Sequence, residues 1–68
     1  MEVVVINKSG PDGNALNIIN VATDILGECG YSDERIKELH AEWTSSTYED
    51  LCDDIEDKCG GYIEFVDE

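Results

Sequence analysis

Ser46–Cys59, STYEDLCDDIEDKC, is the stretch whose reading decides the fold. Wound as a helix, it places Tyr48, Leu51, Cys52, Ile55 and Cys59 on one stripe, at spacings of three, four and seven. The far side carries Glu49, Asp50, Asp53, Asp54, Glu56 and Asp57, and Lys58 arrives only at the end. One face is therefore core and the other a sheet of carboxylates. Such a helix needs an apolar layer to lie on, and the remaining segments must supply it. Ser46, with Glu49 three residues later, predicts a capping box at its start, and Gly60-Gly61 predicts its end.

The segments before and after it read clearly. Glu2–Asn7, EVVVIN, is short and β-branched and predicts a strand, apolar on both faces, either buried on both sides or an edge open to a partner. Ser9–Asn14, SGPDGN, is turn chemistry. Ala15–Cys29 predicts the best helix, with Ala15, Ile18, Ile19, Ala22, Ile25, Leu26 and Cys29 on a broad face, Leu16 and Val21 flanking it, and Gly30 as the stop. Ser32 caps a second helix running to about Trp43, with the stripe Ile36, Leu39, His40 and Trp43. Tyr62–Val66 predicts a second strand with Ile63 and Phe65 on one face. The expected fold is α+β, one small domain over residues 1–68. Its order is β-α-α-α-β, three helices packed with a two-stranded sheet whose orientation the sequence leaves open.

Composition narrows the function classes. At 68 residues, 41% of them apolar, the chain has enough hydrophobic surface for one core but little to spare. Seventeen acids against four bases leave a formal charge of −13, unevenly spread: residues 1–31 carry −3 and residues 32–68 carry −10. Direct binding to nucleic acid or to an anionic membrane is not expected, because neutralising phosphate needs Lys and Arg. The field instead attracts basic proteins. No stretch is long and apolar enough to span a bilayer. Glu2 stands where a signal peptide would carry positive charge, so a cytoplasmic protein is expected. Three cysteines, an odd number, suit reduced core thiols.

Several chemistries fail on spacing. The strand, glycine loop and helix start invite comparison with a phosphate-binding loop, but Gly13 is followed by Asn14, Ala15 and Leu16 and no Gly-Lys-Ser/Thr ending exists. Cys52 and Cys59 lie roughly 10.5 Å apart along a helix, too far to share a zinc ion or a disulfide. The acidic run lacks the alternating oxygens and central Gly of a calcium loop. A convex helix offers neither cleft nor unequal environments for a pair of catalytic carboxylates. No enzyme, metal or cofactor is expected.

The acidic face remains. Glu49–Asp53, Asp50–Asp54 and Asp53–Asp57 are like-charge pairs four apart, each unfavourable by roughly 0.2–0.5 kcal/mol. A surface shaped only by solubility would alternate its signs. The bland alternatives are an over-acidic solvated face or adaptation to a salty cytoplasm. The functional reading is a negative docking surface led by Asp50, Asp53, Asp54 and Asp57, flanked by Glu49 and Glu56 and extended by Glu38 and Glu42 of the second helix. Carboxylates at i and i+4 stand about 6 Å apart, comparable with phosphates along one nucleic-acid strand. The expected partner is a basic, nucleic-acid-binding protein, held by charge mimicry. A different class of reading is a homo-oligomeric adaptor or regulator that binds through the apolar strand edge at Val3 and Val5, or through a helix face, with acidity serving solubility. A homodimer through that edge is expected.

The order of motifs also resembles a group of short proteins encoded by phages and prophages. The resemblance rests on Gly10-Pro11-Asp12-Gly13-Asn14-Ala15, a GP-x-GNA loop opening a long helix, and on Ser46-Thr47-Tyr48-Glu49-Asp50-Leu51, a Ser/Thr-rich turn with Tyr-x-x-Leu. It spans most of the chain, although the last helix is more acidic than in that group. It implies a context rather than an activity: a viral gene product acting inside a bacterial cell. No functional residues are carried over from it.

Overall fold

Val4–Asn7 forms strand β1 of the computed structural model, which describes residues 3–67. The expected strand began at Glu2, which lies outside the described residues. A short 3-10 turn at Pro11–Gly13 follows, and then helices α1 (Ala15–Glu28), α2 (Asp33–Ser45) and α3 (Tyr48–Cys59), and strand β2 (Ile63–Val66). The expected β-α-α-α-β order is the observed one.

The two strands are parallel, in the register Val4↔Ile63, Val5↔Glu64, Ile6↔Phe65 and Asn7↔Val66. Parallel pairing requires a long crossover, which the three helices provide. Val4 N–H donates to the Tyr62 carbonyl and Lys8 N–H to the Val66 carbonyl, both at 2.8 Å, closing the ladder at each end.

Each helix starts where a short polar side chain satisfies a backbone N–H left free by the first turn. Asn14 accepts from Asn17 N–H, Ser32 from Arg35 N–H and Thr47 from Asp50 N–H. The third differs from expectation. Ser46 is not the cap of α3, because α2 continues to Ser45 and takes Ser46 as its own C-terminal residue. Ser46 N–H donates to the Trp43 carbonyl and its hydroxyl to that of Glu42. Gly30 ends α1 at φ 94°, a left-handed conformation that favours glycine.

The core is one cluster. Ile6 and Ile63 come from the sheet, Ile18, Ile19, Ala22, Ile25 and Leu26 from α1, Leu39 and Trp43 from α2, and Leu51, Cys52, Ile55 and Cys59 from α3. Each large side chain so buried contributes about 1.5–3 kcal/mol. The radius of gyration, 11.1 Å, matches the roughly 11 Å of a compact chain of this length.

Three expected core positions face solvent instead: Ala15, Cys29 and His40 are exposed. Ala15 stands at the first position of α1, Cys29 is its C-terminal cap and His40 lies off the Leu39–Trp43 stripe. A stripe counted in helical steps overruns wherever the helix ends or the packing partner stops short.

The N-terminal loop is tied to the rest by long-range contacts. Tyr48 of α3 donates its hydroxyl to the Gly13 carbonyl, and Ser9 donates its hydroxyl to the Asp67 carboxylate. Lys8 Nζ stands 5.9 Å from the centre of the Tyr48 ring, within cation–π range.

Candidate functional site

The acidic face of α3 lies along one wall of a groove, and α2 supplies the other. The groove is open, about 420 Å³ in volume, and is lined by Glu42, Trp43 and Ser46 from the α2 side and by Asp50, Asp53, Asp54 and Asp57 from α3. Beyond the turn at Ser46-Thr47, α2 and α3 make few direct contacts, and the groove is the space between them.

Asp54 holds the two walls together. Trp43 Nε1–H donates to its Oδ2 at 2.7 Å, and Lys58 Nζ to its Oδ1 at 2.6 Å. The hydrogen bond from Lys58 is the main reason its carboxyl titrates below the usual value, with the Trp43 bond adding to it and burial opposing. Lys58 is pushed upward in turn, chiefly by the Asp54 bond. An aspartate held ionised in this way suits fixed negative charge rather than proton donation.

Trp43 is 2% exposed, so its ring belongs to the core and only its N–H serves the groove. Cations entering the groove would meet carboxylates, not an aromatic face.

The expected site residues divide into three groups. Glu42, Asp50, Asp53, Asp54 and Asp57 converge on the groove. Glu49 and Glu56 are exposed on α3 and do not line it. Glu38 is engaged along its own helix by Arg35 at 3.1 Å. Among the described residues the only ion pairs are Arg35–Glu38 and Lys58–Asp54, and Lys58 also feels the charge of Asp57 and Glu42. Of the groove carboxylates, Asp50 and Asp53 therefore have neither an ion pair nor a leading share in the field at Lys58. Val5 on β1 and Val3 just before that strand lie far along the chain from this groove, and both are exposed.

Two participants escaped the sequence reading. The Asp54–Lys58 pair is spaced i,i+4, so its signal was present in the sequence. The Trp43–Asp54 bond joins two helices and has no local signal. Among the described residues, no group of three or more His, Cys, Asp or Glu is arranged to hold a metal ion. Cys52 and Cys59 are buried thiols whose titration is raised by that burial. No described helix is long and apolar enough to cross a membrane.

Fold and surface together define a small α+β domain with a parallel strand pair and an acidic groove between its last two helices. Comparison with family models, with curated proteins and with solved structures returns no match.

Proposed function

We propose that this chain is a small acidic decoy that occupies the basic, nucleic-acid-binding surface of another protein by charge mimicry. One observation carries the reading: five carboxylates from two helices converge on one open groove, and the base on α3, Lys58, is committed to Asp54. Grouping like charges on α3 costs stability, and a docking role gives that cost a reason. Asp50, Asp53 and Asp57 with Glu42 form the contact, Glu49 and Glu56 extend it along α3, and Asp54 braces it. The resemblance to short phage and prophage proteins supports a bacterial host or defence protein as the target.

The test starts with capture of partners from a bacterial lysate at low salt by the immobilised chain. Affinity for a captured basic protein should fall at least about tenfold between about 50 mM and about 200 mM salt. Duplex DNA should displace the chain, and the combined change Asp50→Asn, Asp53→Asn, Asp57→Asn should abolish binding without unfolding the protein. Binding indifferent to salt, to DNA and to those three substitutions would end the proposal.

A further inference from the structure

Two of the three thiols stand at the same end of the molecule. Cys29 caps the C-terminus of α1 and is exposed, whereas Cys59 is the last residue of α3 and is buried. The two helices begin together, since the Tyr48 hydroxyl at the start of α3 donates to the Gly13 carbonyl just ahead of α1. They pack on one another, with Ile25 and Leu26 of α1 and Ile55 and Cys59 of α3 in the same cluster. Helices that start together and pack along their length run in the same direction. At 1.5 Å per residue the rise is about 21 Å from Ala15 to Cys29 and about 16.5 Å from Tyr48 to Cys59, so the far ends fall within about one turn of each other.

The electrostatics agree with this placement. The Cys59 thiol is pushed up by burial first and then by the Cys29 thiol, which acts on it more strongly than Lys58, its own neighbour in sequence. Cys52, two turns earlier on α3, is also raised by burial, but the largest charge effect on it comes from Lys8, which stands over the Tyr48 ring at the other end of the helix. A Cβ at Gly30 or at Gly61 would meet nothing within 4 Å. The chain just beyond each thiol therefore has room to settle into the spacing a bridge needs, with Cα atoms within about 7 Å.

We infer that Cys29 and Cys59 are a thiol pair that closes to an intramolecular disulfide when the protein meets a small-molecule disulfide oxidant. Cys29, the exposed partner, reacts first: its thiolate attacks one sulfur of the oxidant, displaces one thiol and forms a mixed disulfide. Cys59 then gives its proton to solvent, attacks the Cys29 Sγ and releases the second thiol. The protein loses two hydrogens, and the oxidant takes up two electrons and two protons and leaves as two thiols. Burial suits Cys59 to the second role, because it keeps that thiol protonated and shielded until Cys29 carries a leaving group beside it. The bridge ties α3 to α1 without using a groove carboxylate, so the inference stands independently of the decoy reading.

Oxidised glutathione is the probe. The folded full chain, incubated with it at about pH 8, where a fraction of free thiol is ionised, should lose the mass of two hydrogens. One thiol of the three should then remain open to alkylation after denaturation. Peptide mapping should place the link between Cys29 and Cys59, and Cys52→Ala should leave its formation unchanged. Cys59→Ala should stop the reaction at glutathione on Cys29, and Cys29→Ser should keep the folded chain from reacting. The bridged form should melt at a higher temperature than the reduced one, because it closes a loop of about 30 residues in the unfolded chain. A wild-type chain that accumulates glutathione on Cys29 without resolving it overturns the inference, as does a link to Cys52, a dimer joined through Cys29, or a bridge that forms only once urea is added.

Discussion

The indole N–H of Trp43 reaches across from α2 to Asp54 of α3 at 2.7 Å, and the same carboxylate takes Lys58 Nζ on its other oxygen. One acid of the face is thereby converted from a free charge into a brace between helices. Trp43→Phe keeps most of the buried ring and deletes the donor, so urea unfolding should show a loss of about 1–2 kcal/mol. Asp54→Asn should cost a similar amount because Lys58 loses its partner. The double variant should lose less than the sum.

The pH dependence follows from the same carboxylate. Its folded-state titration is depressed, so its contribution is present above the ordinary carboxylate range and lost as pH falls through the depressed value. Thermal unfolding should therefore show this contribution being lost as pH falls below about pH 4. Lys58, raised in the folded state, adds stability that disappears at alkaline pH as its folded-state value is passed. Asp54→Asn should flatten the acid decline and the alkaline contribution together.

Gly13 tolerates no side chain. A Cβ there would lie 2.5 Å from the Lys8 carbonyl oxygen and 2.6 Å from that of Asn7, both backbone atoms, and the Gly13 carbonyl also receives the Tyr48 hydroxyl. Gly13→Ala should destabilise by about 2 kcal/mol or more, within the overpacking range and with strain added. Gly10 is the contrast: its Cβ would meet Asn7 side-chain atoms at 3.7 Å, an ordinary contact. Gly10→Ala should stay within about 0.5 kcal/mol of wild type.

At the α2–α3 turn the two neighbouring hydroxyls are not equivalent. Thr47 accepts from Asp50 N–H and caps α3, while Ser46 bonds back to α2. Thr47→Ala should cost about 1 kcal/mol, and Ser46→Ala less than about 0.5 kcal/mol. Equal effects in chemical denaturation would contradict the observed cap.

Removing charge from the face should stabilise the fold. Asp53→Asn relieves repulsion with Glu49 and Asp57, worth roughly 0.2–0.5 kcal/mol for each pair at low ionic strength. The gain in melting temperature should vanish at high salt. The same substitution should weaken binding to a basic partner, so stability and docking would move in opposite directions.

Much of this fold is legible in local chemistry, because the signals act over one helical turn. Ser32 as a cap, Gly30 as a stop and the Leu51–Ile55–Cys59 stripe are each set by near neighbours, and the structure places them as the sequence predicts. Errors arise where two local signals compete. Ser46 and Thr47 both qualify as caps, and the choice depends on α2 running on to Ser45. The stripes of α1 and α2 overran at Cys29 and His40, because periodicity marks a direction around a helix but not where the opposing surface ends.

The sequence by itself determined the element order, the helix cap at Ser32, the apolar faces and the concentration of negative charge in the second half. Each of these depends on residue type and on spacing within a few residues. Only the tertiary structure decided that the strands run parallel, that Glu42 of α2 joins the α3 acids around one groove, and that Asp54 is spent on Trp43 and Lys58. Those outcomes depend on how helices and strands distant in the chain are brought together, and no local periodicity encodes that.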